Sequence, residues 1–182
     1  MDTEKKVTME TLKTVTKAIA ESDSLDTMSN SLAQLLTAAL KIKGSAIFFL
    51  NPEAKELEVL ASFGLSPNYL TKGPLLADKS IADSLKGKPV IISDVSKYST
   101  LQYPEEAKKE GIKAIISIPI AFSHEIIGVL RLYHHEIWDL CEEDIDSLKL
   151  LSANIGLAMA YTRLLNAVQS ISEIASSVLP EF

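Results

Sequence analysis

The stretch that decides the fold reads ASFGLSPNYLTKGPLLADKSIADSLKGKPVIISDVS over residues 61–96 and GIKAIISIPIAFSHEIIGVLRLYHH over residues 111–135. An apolar strand pattern stands at each end, and the segment between them is rich in glycine, proline and small polar residues. This layout predicts a sheet with a long crossover above one face. Because the crossover is longer than a simple connection requires, it favours either a small-molecule site beneath it or a lid.

The composition of the 182-residue chain is that of one globular domain, since 47% hydrophobic and 23% charged residues exclude a disordered chain. The net charge is −6 and no cluster of lysine and arginine stands out, whereas a nucleic-acid-binding surface needs a basic patch. No apolar run approaches the roughly 20 residues that cross a bilayer, and the charged N-terminus lacks the apolar core of a signal peptide. We therefore expect a cytoplasmic protein that binds neither nucleic acid nor membrane.

Periodicity and turn residues divide the chain into helices and strands. Gly44 is predicted to stop the second helix, and Gly111 the fourth. The predicted helices begin near Thr8, Ser24 or Asp26, Ser80, Pro104 and Glu142, and the predicted strands are Ser45–Asn51, Glu56–Phe63, a short strand from Pro89, Ala114–Phe122 and Glu125–His134.

The final helix carries the clearest periodicity in the chain. Apolar residues recur from Leu150 at alternating steps of four and three, which is a heptad seam. Leu151 and Ile155 widen the apolar stripe beyond what a two-stranded coiled coil needs. We expect the first half of the stripe to pack on the sheet, and the second half to meet the N-terminal helix or a second copy, in a homodimer. The candidate dimer residues are Leu157, Tyr161, Leu164, Val168 and Ile171.

The ordered set of motifs resembles the GAF domain of bacterial regulators. Residues 61–96 resemble its central region, where a strand ending in glycine precedes a loop, a short helix, G-x-P-V and a strand that ends at aspartate. KKEGIKAIISIPIAFSHEIIGVLRLYHH over residues 108–135 resembles its later strands, and WDLCEEDIDSLKLLSANIGLAMA over residues 138–160 resembles its closing helix. The resemblance covers roughly residues 12–165.

The resemblance implies an α+β, profilin-like fold with an antiparallel sheet of five or six strands. Terminal helices would cover one face, and a crossover with short helices the other. Residues 1–22 would form a dimer or linker helix, residues 23–165 the GAF domain and residues 166–182 a helical extension. The implied function is a regulatory domain of a signal-transduction protein that binds a small effector non-covalently and relays its state through the terminal helices. The alternative is a ligand-free dimerisation and relay module, and either one implies a separate or downstream output domain.

The candidate lining of the cavity is mainly apolar with a few polar groups, as small-molecule sites usually are. For each residue the alternative is that it only fills space. Asp94 equally fits a bond to its own turn, and Ser80 fits a helix cap. The candidate ligand-binding residues are Phe63, Tyr69, Ser80, Ile81, Ile92, Asp94, Tyr98, Tyr103, Ile116 and Ile118.

No enzyme, metal or covalent cofactor is expected from the sequence. The neighbouring His134 and His135 would face opposite sides of a strand and so would not share a metal ion. By the resemblance, bilin attachment uses a cysteine beside a histidine in the crossover, and the sulfoxide reductase branch uses several cysteines. This chain has Cys141 alone, outside the crossover. The sequence identifies neither a cofactor nor the effector.

Overall fold

A computed structural model describes residues 6–22, 24–76 and 82–178 of the chain. The helices are α1 (Met9–Ala20), α2 (Leu25–Ala39), α3 (Pro67–Leu70), α4 (Pro104–Lys109) and α5 (Glu142–Val178). The strands are β1 (Gly44–Asn51), β2 (Glu56–Phe63), β3 (Leu75–Leu76), β4 (Val90–Ile92), β5 (Ala114–Phe122) and β6 (Glu125–His134). Short 3₁₀ turns cover Ser84–Lys86 and Val95–Lys97.

The six strands form one antiparallel sheet in the order β3-β2-β1-β6-β5-β4. The hairpins β1–β2 and β5–β6 lie side by side because β1 pairs with β6. The crossover between β2 and β5 carries α3, β3, β4 and α4 from one edge of the sheet to the other. The predicted α+β class, with terminal helices on one face and the crossover on the other, is confirmed.

The predicted cap at Ser24 and the predicted stop at Gly111 agree with the structure, where Gly111 follows α4 with a φ of 76°, whereas the stop predicted at Gly44 does not. The side chains of Thr8 and Ser24 accept hydrogen bonds from the backbone of Thr11 and Thr27, which begins α1 and α2. The predicted stop at Gly44 is wrong, because α2 ends at Ala39 and Gly44 opens β1. The chain turns earlier, where Lys41 adopts a φ of 53°.

The larger hydrophobic core lies between the sheet and the helices α1, α2 and α5. Alternate residues of β5 point into this core, so that three isoleucines face the helix layer. Burial of each such side chain stabilises the fold by about 1.5–3 kcal/mol. The β5 residues on this face are Ala114, Ile116, Ile118 and Ile120, and the α5 residues that meet the core are Leu148, Leu151, Ile155 and Met159.

The first half of α5 packs on the sheet as predicted, through the residues that widen the apolar stripe. Leu151 and Ile155 are buried, whereas the seam residues Leu150 and Leu157 are 58% and 60% exposed. The sheet thus takes the face of the helix beside the heptad seam and leaves the seam itself exposed. Among the described residues, none of the helices combines the length and hydropathy that a bilayer-spanning segment needs.

Gly156 allows α5 to approach β5 closely. A Cβ atom at this position would overlap the backbone carbonyl oxygen of Ala121 and press on Ile120. The contact between α5 and β5 is therefore a contact of backbone with backbone, which fixes the height of the helix above the sheet.

A buried carboxylate joins the N-terminal segment to the start of α5. Oδ1 of Asp144 accepts hydrogen bonds from the backbone N–H groups of Lys6 and Val7, at 2.9 and 2.8 Å. Asp144 is fully buried, and Val7 and Val15 belong to the helix-side core. Helix α1 is thus packed on the domain, beside α2 and α5, rather than projecting from it.

Replacement of Gly156 by alanine tests this close approach. Helix propensity alone would make Gly156→Ala stabilising by about 0.8–1 kcal/mol. We expect it to destabilise the protein instead, by about 1–3 kcal/mol, because the added methyl group overpacks the contact. Urea denaturation followed by circular dichroism measures the change. Ala153→Gly, at an exposed position of the same helix, is the matched control and should show only the propensity loss. A stabilised Gly156→Ala variant would contradict the backbone contact.

Candidate functional site

A buried arginine stands on the face of the sheet that the crossover covers. Arg131 lies in β6 opposite Ser117 of β5 and is 2% exposed. Its Nε donates a hydrogen bond of 2.9 Å to Ser117 Oγ. Alternation along β6 places Val129 and Tyr133 on the same face as Arg131. A buried charge is costly without hydrogen bonds, and the bond to Ser117 offsets part of that cost. The pair is therefore a polar site on this face rather than apolar packing.

Two tyrosines pack edge to face above this part of the sheet. The ring of Tyr69, from α3, lies 5.8 Å from the ring of Tyr133 at an angle of 86°. Burial raises the pKa of Tyr133, and the positive charge of Arg131 and a side-chain interaction with it oppose the rise. Within the described part of the chain, no contact of the buried Tyr133 hydroxyl meets ordinary hydrogen-bond geometry, so the Arg131 side chain satisfies it only weakly. This hydroxyl is therefore a polar group to which a ligand can add a well-formed hydrogen bond.

Lys72 lies between two aromatic rings at the rim of the same cluster. Its Nζ is 3.7 Å from the centre of the Tyr69 ring and 5.6 Å from that of Tyr103, and it donates a hydrogen bond of 2.8 Å to the Tyr69 carbonyl. Burial and the positive charge of Arg131 lower the pKa of Lys72 to about 8, while the carboxylates of Glu106 and Glu110 act in the opposite direction. A sizeable fraction of this amine is therefore neutral near physiological pH.

Two cavities meet at the Tyr69 ring. The inner one, which Lys72 and Arg131 both line, has a volume of about 10 Å³, room for at most one water molecule. The outer one has a volume of about 190 Å³ and is lined by polar residues of α3 and α4, among them Asn68 and Lys109. Tyr69 lines both cavities.

Glu110 holds the loop before α3 against the end of α4. Its carboxylate accepts hydrogen bonds from the backbone N–H and the hydroxyl of Ser66, and Lys43 Nζ lies 3.4 Å from it. Burial alone would raise the pKa of Glu110, but the bonds from Ser66 and the charge of Lys43 outweigh it and lower the pKa. Tyr69 follows Ser66 by three residues, so the buried Glu110 carboxylate also holds Tyr69 in its place in the fold.

Comparison with known proteins identifies this architecture. A family profile described as GAF domain matches residues 22–160, which is most of the chain. The chain belongs to the GAF domain family. The GAF domain from a Coxiella burnetii phosphoenolpyruvate-protein phosphotransferase superposes with a TM-score of 0.76 at 18% identity, over 87% of this chain and 96% of that one. The corresponding domain from Acinetobacter gives a TM-score of 0.73 at 21% identity, over 86% and 94%.

A third GAF-like structure is an enzyme. Free methionine-R-sulfoxide reductase from Neisseria meningitidis, in complex with its substrate, superposes with a TM-score of 0.73 at 16% identity, over 86% of this chain and 90% of that one. No curated protein sequence matches the chain. At these identities the structural likeness shows the fold alone. The predicted GAF resemblance is confirmed by the family match.

The structure brings together only part of the predicted lining of the GAF domain. Tyr69 and Tyr103 lie together in the crossover cluster, where the Tyr103 hydroxyl donates a hydrogen bond of 2.9 Å to the Pro74 carbonyl. Ile116 and Ile118 were placed on the wrong face, because they point into the helix-side core. Ser80 and Ile81 lie outside the described residues.

Of the remaining predicted residues, Ile92 is buried in the crossover-side core with Tyr69 and Tyr133, and the others lie away from this cluster. Ile92, Asp94 and Tyr98 line an open groove of about 360 Å³ at the β4 edge of the sheet. The Asp94 carboxylate accepts bonds from the backbone N–H and the hydroxyl of Ser96, which lower its pKa, so the turn interpretation fits its contacts. Phe63, at the end of β2, is 44% exposed and belongs to neither hydrophobic cluster.

Sequence reasoning missed Arg131, Lys72, Ser117 and Tyr133. A signal for the first was present, since an arginine interrupts the otherwise apolar strand VLRLY and shares its face with Tyr133. Ser117 interrupts the β5 isoleucines on the matching face. For Lys72 there was no such signal, because its environment arises from the path of the crossover.

The two neighbouring histidines lie closer together than strand alternation predicts. Because β6 ends at His134, the ring of His135 turns back and stacks on it at 4.7 Å. With Glu136, their ligand atoms lie within 4.8 Å of one another. However, Nδ1 of His134 accepts a hydrogen bond of 2.9 Å from the Glu136 backbone N–H. A metal ion on Nε2 would require a proton on Nδ1, so this arrangement does not fit a site using both histidines.

The environment of His134 predicts a pH dependence of stability. Burial lowers the pKa of His134, and the charges of His135 and Lys6 act in the same direction, against Glu136. The unfolded chain, with a pKa of about 6.5, therefore binds this proton more readily than the folded protein. The free energy of unfolding should be highest above that value and fall as the pH drops through it towards the lower folded pKa.

Chemical denaturation at a series of pH values measures this effect. His134→Gln keeps an acceptor for the Glu136 N–H but does not titrate, so it should flatten the dependence in this range. His124→Gln, at an exposed turn, is the control and should retain it. An unchanged profile in His134→Gln would assign the dependence to other groups.

Proposed function

We propose that this GAF domain is a cytoplasmic regulatory sensor that binds a small effector non-covalently between the sheet and the crossover. The effector state passes through α1 and α5 to a separate or downstream output domain. The family match supports a sensory and signalling role. The reductase with its substrate is a relative in which the same fold binds a small molecule. Catalysis is not proposed, because this chain has one cysteine and its described polar cluster contains no nucleophile–base pair.

The observation that supports an effector most directly is the Tyr133 hydroxyl, buried beside Arg131 without a well-formed hydrogen bond. Leaving such a group unsatisfied costs about 1–3 kcal/mol. A ligand that accepts or donates a hydrogen bond there recovers this cost. The outer cavity of about 190 Å³ offers the entrance, with Tyr69 as the partition. An effector would then favour the arrangement of the crossover in which Tyr69 has moved.

The relay we propose follows β6. Arg131 and Tyr133 face the crossover, whereas Leu130 and Leu132 of the same strand face the helix-side core. Immediately after β6, residues 135–141 lead into α5, and Trp138 of this connection donates a backbone hydrogen bond of 3.1 Å to the Ser93 carbonyl. The proposed effector site and the start of α5 are thus connected through the end of one strand. A movement at the site would reach α5 over this short path.

Removal of the Tyr133 hydroxyl tests the effector site. We expect Tyr133→Phe to leave the free energy of unfolding unchanged or slightly raised, because a buried hydroxyl without a well-formed hydrogen bond is removed. We also expect it to weaken effector binding by about 2–10-fold. Native mass spectrometry and thermal shift with nucleotide, amino-acid and tetrapyrrole libraries identify the effector, and calorimetry then compares the variants. Tyr98→Phe, at a half-exposed position outside the cluster, is the matched control.

Two results would count against the effector site. A marked loss of stability in Tyr133→Phe would mean that the hydroxyl already has a partner in the free protein. Absence of any bound or stabilising compound across the libraries would favour the second candidate function, a ligand-free dimerisation and relay module.

Two features support the second candidate, a ligand-free dimerisation and relay module. The inner cavity of about 10 Å³ leaves little room for a ligand, and the seam of α5 is exposed. The seam residues project along a helix that is about 55 Å long at 1.5 Å per residue. Leu164 and Ile171 are 63% and 67% exposed. Exposed apolar stripes of this kind indicate an interface, and we propose a homodimer in which Leu157, Tyr161, Leu164, Val168 and Ile171 are buried.

A charge in the seam should separate the subunits. Leu164→Glu removes a contact twice in a symmetric dimer, at about 1.5–3 kcal/mol per leucine. We expect dimerisation to weaken by about 100-fold or more. Light scattering over a concentration series measures it. Ser170→Glu introduces the same charge outside the seam and should leave the dimer intact. A wild-type monomer at high concentration would contradict the dimer.

A further inference from the structure

One polar residue interrupts the exposed apolar seam of α5. The steps of four and three along this helix define a heptad, in which Asn154 takes an a position between leucines at d positions. Leucine at d with a β-branched residue at a favours two parallel strands, and Val168 is such an a residue. The a positions are Asn154, Tyr161, Val168 and Ala175, and the d positions are Leu150, Leu157, Leu164 and Ile171.

The sheet leaves this seam free to meet a second helix. Leu151, Ile155 and Met159 are buried in the helix-side core, and at 3.6 residues per turn the seam lies on the other side of α5. In this half of the helix, the apolar residues that make the stripe too wide for a two-stranded coiled coil are thus already covered. A narrow seam of a and d residues remains exposed, Leu150 and Leu157 among them.

Asn154 has hydrogen-bonding capacity that its own chain does not use. Its side chain is half-buried in a groove of about 500 Å³ between α1 and α5, which Ile19 and Tyr161 also line. Within the described part of the chain, its amide takes part in no side-chain hydrogen bond. A primary amide both donates and accepts hydrogen bonds, so a second amide is complementary to it.

The charge distribution on α5 favours a second copy of this chain as the partner. Coiled-coil helices that select a different chain use charges beside the seam. Between residues 150 and 178 the charged residues of α5 are Arg163 and Glu173, and neither occupies a position that flanks the seam. The described residues that line the groove between α1 and α5 are likewise uncharged. Two copies therefore meet without repulsion, and the amide of one finds the amide of the other.

We propose that Asn154 determines the orientation and register of the dimer, through a hydrogen bond between the two Asn154 side chains of parallel, in-register helices. The inference rests on the proposed homodimer and adds its geometry. In antiparallel helices an a residue lies opposite d residues, so each amide would face apolar side chains. A shift of one heptad would set it against the Tyr161 ring of the second copy. Each alternative buries an amide without its hydrogen bond, and this cost selects the parallel register.

Charge pairs at position 154 test whether the two side chains meet. In the full-length chain, Asn154→Asp and Asn154→Lys should each weaken the homodimer by about tenfold or more, because like charges meet in the interface. The two variants are mixed in equal amounts, one of them labelled with ¹⁵N, and equilibrated. Native mass spectrometry should then show about 90% heterodimer, against about half for random pairing. Ser170→Asp and Ser170→Lys, outside the seam, are the matched control pair and should mix at random.

A disulfide at Ala175 tests the orientation. Ala175 lies three heptads beyond Asn154, about 32 Å along the helix, so equivalent residues meet at both positions only when the helices are parallel. In a Cys141→Ser background, Ala175→Cys should form a disulfide-linked dimer on mild oxidation. Ser170→Cys, which points away from the seam, should remain uncrosslinked.

The outcomes separate the register from the dimer itself. In a dimeric protein, random mixing of the Asn154 pair, or crosslinking that does not favour Ala175→Cys, would overturn the inference and leave the proposed homodimer intact. A monomeric wild-type chain would overturn both. Circular dichroism verifies that each variant is folded, and a heterodimer formed from two weakened variants shows the same independently.

Discussion

Alternation along β5 and β6 divides the protein into a stabilising face and a polar face. On the helix side the two strands present apolar residues as far as His134, where β6 ends, and the isoleucines of β5 alone contribute several kcal/mol of burial free energy. On the crossover side the same strands present Arg131, Ser117 and Tyr133. A one-residue shift in register would exchange the two faces and place the arginine in the apolar core. Both the stability of the domain and the chemistry of its candidate site therefore depend on this register.

Helix α5 connects the stabilising face to the outside of the domain. Its first half is held on the sheet by buried side chains and by the backbone contact at Gly156. Its start is tied to the N-terminal segment through Asp144. Beyond residue 162 its described side chains are exposed. In the relay proposed above, a tilt of the fixed base of this helix would become a larger displacement of its uncovered tip.

Much of the fold could be predicted from the sequence, because the determining signals are local. The first helix begins near Thr8 as expected, Ser24 is the cap of the second, and the predicted limits of β5 and β6 are those of the structure. The faces of the strands were harder to assign. Ile115 and Ile116 are equally apolar, so hydrophobicity alone does not say which one meets the helices. Ser117 and Arg131 carried the missing information, because the face interrupted by polar residues is not the one that forms the main core.

The candidate site could be predicted less well than the fold, for a different reason. Tyr69 and Tyr103 are brought together with Lys72 only by the folded crossover, through contacts such as the Tyr103–Pro74 hydrogen bond. Asp94 and Tyr98 follow a strand in the same crossover yet lie at the β4 edge. Sequence distance along an irregular segment does not determine such placements, because no periodicity relates one residue to the next.

The size of the inner cavity decides what kind of sensor this site can be. A preformed pocket of several hundred Å³ would bind a ligand without changing the protein. Here Tyr69 lines both the outer cavity and the small cavity at Arg131 and its ring packs on that of Tyr133, so in the proposed site a ligand that reaches the Tyr133 hydroxyl would displace a buried aromatic ring. The loss of the Tyr69–Tyr133 contact reduces affinity, by about 0.5–1.5 kcal/mol for the ring pair alone. The same loss makes the bound and free states structurally different, and only such a difference allows binding to shift a conformational equilibrium. The Tyr69 ring in the site therefore weakens ligand binding, but its displacement would also allow binding to change the conformation of the protein.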